Sequence, residues 1–123
     1  MKAVITLLFG LLLFFPQDTD LNEAAGNWQG SIDVQGKSMR IVFHVVNSEG
    51  KLSATMDSPD QNAFGYKMDE AKYSDKTLEL TINQAGGHYK GTLKDEKFIG
   101  EWSQGGQKFP LVLTRIKRTG SSE

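Results

Sequence analysis

Residues 100–106, GEWSQGG, set a serine between a bulky residue and a glycine pair, and Ser103 is the first group in the chain that invites chemistry. A nucleophilic serine on a strand-to-helix elbow needs the pattern G-x-S-x-G, because only small neighbours fit that strained turn. Here Glu101 stands where the first glycine belongs, and GQKFPLVLTR, which follows Gly105, reads as a strand rather than a helix. A serine nucleophile also needs a base. The two histidines, His44 and His88, both fall by alternation on an outer, polar face, with no acidic partner to assign to either. Ser103 is therefore read as a strand-end residue entering a hairpin at Gly105-Gly106. No catalytic residue is assigned, and the chain is not expected to be an enzyme.

Metal chemistry fares no better. His44 and His88 would share a metal only if their strands faced each other, and no third ligand suggests itself, so they read as surface histidines. Asp57 and Asp60 flank Ser58-Pro59, but calcium takes six or more oxygens and this stretch lacks a dense carboxylate series. Turn stabilisation is the expected role for both. The chain has no cysteine, which removes disulfides, thiolate chemistry and zinc ribbons together. No cofactor and no metal are expected. With a net charge of −1 and its lysines spread out, the chain has no basic block to neutralise a row of phosphates, so no nucleic-acid partner is expected.

The elements that would position any site begin after an N-terminus of different composition. MKAVITLLFGLLLFFPQD starts with Lys2, runs apolar from Ala3 to Phe15 and breaks at Pro16. As a helix that run rises only about 20 Å, short of the roughly 30 Å hydrocarbon core. A positive start and a short apolar run fit a secretory signal peptide over residues 1–19. The expected destination is the periplasm or the exterior, with no stable membrane insertion once the leader is processed; an uncleaved tether is the alternative. Small residues suited to cleavage first occur at Ala24 and Ala25.

From Gly26 onward the pattern is period-2 alternation punctuated by turn residues. Trp28, Gly30, Ile32 and Val34 share one parity, as do Met39, Ile41, Phe43 and Val45. The same holds for Leu52, Ala54 and Met56; for Leu78, Leu80 and Ile82; for Tyr89, Gly91 and Leu93; for Phe98, Gly100 and Trp102; and for Phe109, Leu111 and Leu113. Hairpin turns are expected at Gln35-Gly36, Ser48-Glu49-Gly50, Ser74-Asp75-Lys76, Ala85-Gly86-Gly87, Asp95-Glu96 and Gly105-Gly106. With SPDQNAFG (58–65) as one more connection and a strand around Tyr66 to Tyr73, eight strands follow one another. Links this short forbid parallel crossovers. The predicted fold is all-β: an eight-stranded antiparallel up-and-down meander over residues 26–118 that closes into a barrel and so removes its edges. Residues 119–123 read as a disordered tail. Pro110 is the misfit, since it cannot donate to a ladder, and full pairing of the last strand is expected only from Leu111.

Three short stretches, GNWQG, GHYKG and GEWSQG, share a glycine, a polar residue, an aromatic and a second glycine. Glycine inside a strand marks a bulge, a bend or a close backbone approach. The inward aromatics serve the core first. An eight-stranded barrel interior is either filled by side chains or holds one small ligand. In the second case Trp28, Phe43, Met56, Leu80, Tyr89 and Trp102 are the candidate ligand contacts.

Taken together, GNWQGSIDVQGKSMRIVFHV, MDSPDQNAFGYKM and IGEWSQGGQKFPLVLTR resemble the small all-β domain that precedes the catalytic domain in secreted bacterial α/β-hydrolases of the serine aminopeptidase or esterase type. The resemblance implies an exported, barrel-like accessory domain. The nucleophile, acid and histidine of such proteins lie in a domain that would follow Arg118, so none is carried over. A G-x-W on the first strand with an arginine on the last is also similar to lipocalin-like barrels, which implies that Arg115 stacks on Trp28 at the closed end, a contact worth about 0.5–2 kcal/mol. Two functional expectations follow. Either the loop around Pro59, Asp60, Gln61, Phe64 and Tyr66 docks a partner protein such as a secreted hydrolase, or the interior carries a small apolar molecule.

Overall fold

The computed structural model describes residues 18–116. Most of the expected leader (1–19) and all of the expected tail (119–123) lie outside the described residues. Residues 18 and 19 open a short helix, α1 (Asp18–Ala24), which precedes nine strands: β1 (Gly26–Val34), β2 (Lys37–Ser48), β3 (Lys51–Ser58), β4 (Ala63–Lys67), β5 (Glu70–Ser74), β6 (Thr77–Ile82), β7 (Gly87–Lys94), β8 (Lys97–Gln104) and β9 (Gln107–Arg115). A 3-10 turn over Pro59–Gln61 joins β3 to β4. Among the described residues no helix is long and apolar enough to cross a membrane.

All pairings are antiparallel, in the order β4-β3-β2-β1-β9-β8-β7-β6-β5, so the chain is an all-β meander curled into a half-barrel. Five two-residue hairpins set the register. Gln35-Gly36, Glu49-Gly50, Asp75-Lys76, Asp95-Glu96 and Gly105-Gly106 all have positive φ at both positions, the geometry whose twist matches that of flanking strands. The hairpins alternate between two ends. Links β1–β2, β3–β4, β6–β7 and β8–β9 lie at one end, and β2–β3, β5–β6 and β7–β8 at the other.

The strand count corrects the expectation of eight, because the segment from Tyr66 to Tyr73 is two strands. β4 pairs only with β3 and β5 only with β6. Between them, the Met68 amide donates to Ala54 O at 2.9 Å and the Asp69 amide to Thr81 O at 2.7 Å. The seam is thus bridged at one dipeptide, and full closure is not reached. Pro110 also departs from expectation: β9 pairs with β8 without a break from Gln107, with Pro110 opposite Glu101. Counting outward from the closing pair Gln104↔Gln107, alternation makes Pro110 a position whose nitrogen points away from β8. On that other side β9 is in register with β1 only at Arg115 and Thr114, so no ladder bond is lost.

The core follows the inward parity, with Trp28, Phe43, Tyr89, Phe98, Leu78, Leu80, Leu111 and Leu113 fully buried. The recurring glycines make room for it. A Cβ on Gly87 would lie 2.4 Å from the Trp102 ring, one on Gly91 2.3 Å from the Tyr89 hydroxyl, and one on Gly100 2.0 Å from Lys90 O. Tyr89, laid along the strand in that space, donates its buried hydroxyl to Leu111 O at 3.0 Å. Burial pushes the Tyr89 pKa well up, so the hydroxyl stays protonated and keeps donating.

Helix α1 seals one end. Ala24 is fully buried and its carbonyl accepts the Trp28 Nε1–H at 2.9 Å. The Arg115 guanidinium lies 4.3 Å from the centre of the Trp28 ring and donates to Ala25 O and Glu23 O. Glu23 in turn accepts the Tyr73 hydroxyl at 2.7 Å and the Lys76 ammonium at 2.9 Å. The hydrogen bonds from Lys76 and then Tyr73 lower the Glu23 pKa.

Candidate functional site

At the end opposite α1 the interior is not filled. A cup of about 660 Å³ opens there, within the range of roughly 300–1,000 Å³ common for small-molecule sites. Ile32, Met39, Ile41, Met56, Ile82, Trp102 and Phe109 form its apolar wall, supplied by β1, β2, β3, β6, β8 and β9. Strand parity alone delivers these side chains to one surface, and the hairpin links at this end set the rim.

The rim is amide-rich. Gln61, Gln84, Gln104 and Gln107 line it together with Ser58, Ala63, Tyr66 and Ala85. Two of the glutamines are tied to the wall. Gln104 Oε1 accepts the Trp102 Nε1–H at 2.9 Å while its Nε2 donates to Ala85 O at 3.1 Å, which fixes the indole and the β6–β7 turn together. Gln61 Oε1 accepts the Ser58 hydroxyl at 2.8 Å. Gln84 and Gln107 are exposed, with no hydrogen-bond partner for their side chains among the described residues.

The loop beside the cup is braced from outside. Asp60 accepts the Arg40 amide at 2.8 Å and lies 3.8 Å from its guanidinium. Asp57 accepts the Gly65 amide at 2.7 Å and lies 2.8 Å from His44 Nε2; the other ring nitrogen of His44 meets Asn27 Oδ1 at 2.7 Å. Burial raises the Asp57 pKa, but the hydrogen bonds from His44 and the Gly65 amide and the attraction of His44 outweigh it and hold the pKa below its ordinary value. Phe64 and Tyr66 stand on β4 just after this loop, 61% and 48% exposed.

The structure therefore divides the expected ligand contacts. Met56 and Trp102 line the cup, whereas Trp28, Phe43, Leu80 and Tyr89 lie in the filled core, each fully buried. Of the loop residues, Gln61 and Tyr66 line the cup, Phe64 faces solvent, Asp60 holds Arg40, and Pro59 opens the 3-10 turn. The rim glutamines at 84, 104 and 107 went unread in the sequence. Their signal was present, since each continues the inward parity of Ile82, Trp102 or Phe109 into a turn.

Both histidines do have acidic neighbours, contrary to the sequence reading. His88 Nε2 lies 3.4 Å from Glu79 and its Nδ1 2.9 Å from Thr81 Oγ1. Ser103 is directly opposite His88 in the β7–β8 register. Both ring nitrogens are nevertheless engaged by β6, and Ser103 sits half-buried on the outer face, away from the cup. Among the described residues no three His, Asp or Glu side chains group to hold a metal. Compared with protein-family models and with curated proteins, the sequence matches none.

Proposed function

We propose that this protein is an exported, non-catalytic binding module that holds a small, largely apolar molecule in the cup at the open end of its half-barrel. The observation that carries this reading is the cup itself: an apolar wall of parity-aligned side chains around about 660 Å³, framed by polar groups of which Gln104 is tied to the Trp102 indole and the β6–β7 turn. Concave, mostly apolar sites with a few placed polar groups are what small-ligand recognition uses. The engaged nitrogens of His88 support binding rather than turnover. Lys2 followed by the short apolar run supports export.

The test is fluorescence enhancement of the neutral dye N-phenyl-1-naphthylamine on titration with the purified protein. Saturable enhancement is expected, and Ala63→Trp, which places an indole in the rim, should abolish it. A dye that shows no enhancement, or binds the Ala63→Trp variant equally well, overturns the reading.

One observation favours a second role at the same end. Phe64 and Tyr66 are exposed on β4, the strand at one end of the sheet order, whose Gly65 amide is held by Asp57, and exposed aromatics on a preorganised segment suit protein docking. A secreted hydrolase is the partner class that the sequence resemblance implies. Co-purification of such an enzyme with the wild type but not with a Phe64→Ser, Tyr66→Ser variant would support docking; its equal recovery with both would refute it.

A further inference from the structure

The cup differs from the rest of the molecule in charge. Charged residues are 24% of the chain, so composition alone would place about four among the sixteen residues that line the cup. Among the described residues there is none: no carboxylate, ammonium, guanidinium or imidazole lines the wall or the rim. The polar groups present are amides and hydroxyls, and their arrangement follows from the fold. Gln104 and Gln107 are the closing pair of the β8–β9 hairpin, on the parity of Trp102 and Phe109. Gln84 extends the parity of Ile82 into the adjoining turn, and Gln61 ends the 3-10 turn across from them.

These amides are not equivalent. Both functional atoms of Gln104 are used internally, and the oxygen of Gln61 is used by Ser58. That leaves the NH₂ group of Gln61 and the whole amides of Gln84 and Gln107 to meet a ligand, so the rim presents both donors and acceptors. Beside the loop, Asp60 lies 3.8 Å from the Arg40 guanidinium, and Asp57 is hydrogen-bonded to His44 and the Gly65 amide. Lys37, opposite Val34 at the β1–β2 tip, continues the inward parity of Met39 and Ile41, and it is not among the lining residues.

From this we infer that the cup selects uncharged amphiphiles: an apolar chain or ring system bearing a non-ionic head of the amide, ester or hydroxyl class. A neutral polar head would exchange water for glutamine hydrogen bonds at small cost. An ionic head drawn to the same rim would lose solvation with no counter-charge to compensate it. The inference rests on the ligand-binding reading above, and it is tested so that the two can fail separately.

In the experiment, glycerol monolaurate, laurate and dodecyltrimethylammonium each compete with bound N-phenyl-1-naphthylamine at pH 8, all below their micellar concentrations. Glycerol monolaurate is expected to displace the dye at least tenfold more tightly than either ion. Gln107→Lys, at an exposed hairpin position, should narrow or reverse the preference over laurate while leaving the melting temperature unchanged. Dye that binds, with laurate or the cation displacing it as well as the neutral ester does, overturns the selectivity but not the cup. Preference for laurate that vanishes in Lys37→Gln likewise overturns it, by showing that the hairpin-tip ammonium reads the head. Failure of the dye to bind overturns the ligand-binding reading and this inference with it.

Discussion

Replacing Trp28 by alanine probes the closed end of the barrel at its most connected residue. The indole is fully buried, stacks edge-on against Phe98 with 4.6 Å between centroids, donates to Ala24 O and carries Arg115 on its face. Truncation of such a side chain costs about 3–5 kcal/mol, because its surroundings relax only partly around the cavity. Loss of the donor to the buried Ala24 carbonyl adds roughly 1 kcal/mol. Against a total of about 5–15 kcal/mol for a domain of this kind, the variant should be marginal at best. Trp28→Phe separates the contributions. It keeps a ring against Phe98 and removes the donor, so its expected cost is about 1–3 kcal/mol. Urea unfolding is the assay, read from the fluorescence of Trp102, the remaining tryptophan, in both variants. At about 4–8 °C per kcal/mol, Trp28→Ala should also lower the melting temperature by more than roughly 12 °C. A loss below about 1 kcal/mol for Trp28→Ala would refute the argument that β1, β9 and α1 are closed around this ring.

Ser103→Ala should leave stability within about 0.5 kcal/mol of the wild type, as for other surface positions, and a fluorophosphonate probe should label neither protein. Covalent labelling of wild type alone would reverse the non-catalytic reading. Gly100→Ala should destabilise by more than about 1 kcal/mol in urea unfolding, since its Cβ would meet the backbone of Lys90 and Gly91. Gly105→Val should also be costly, but for a different reason: φ there is +59° and a β-branched residue resists it. Asp57 gives a pH test. Its folded pKa is depressed, so its contribution is complete above the unfolded value of about 4 and is lost as pH falls through the folded value. The stability gap between wild type and Asp57→Asn should therefore shrink below about pH 4; a gap that widens there would contradict the ion pair with His44.

Alternation made the strands legible, because each inward side chain from Trp28 to Leu113 kept its parity within its strand. The split at Met68–Asp69 was written in the same code. Tyr66 and Met68 point inward on even numbers and Ala71 and Tyr73 on odd ones, and a slip of one residue cannot occur inside a regular strand. Helix α1 was harder to read. Its evidence is Leu21 and Ala24 three residues apart, in a stretch where Ala24 and Ala25 also suit a cleavage site, and burial of Ala24 is a tertiary fact. Parity also failed to separate core from cup. Trp28 and Ile32 share one face of β1, yet Trp28 is fully buried in the core while Ile32 lines the cup.

Among the described residues, closure between β1 and β9 is the one non-local strand pairing in the sheet, which bears on the order of assembly. Every other pair joins strands adjacent in sequence, whereas Arg115 reaches Ala25 across 90 residues. Closing that loop is about three doublings longer than closing a hairpin of roughly ten residues, an added entropic cost near 2 kcal/mol. Two meanders, β1–β4 and β5–β9, can therefore form from local contacts before they meet, and the β1–β9 junction is where contact order concentrates. A circular permutant that links residue 116 to residue 18 and opens the chain between Met68 and Asp69 would turn this late junction into a local one. Its folding rate should rise, while its unfolding, no longer begun by parting β1 from β9, should start at the seam.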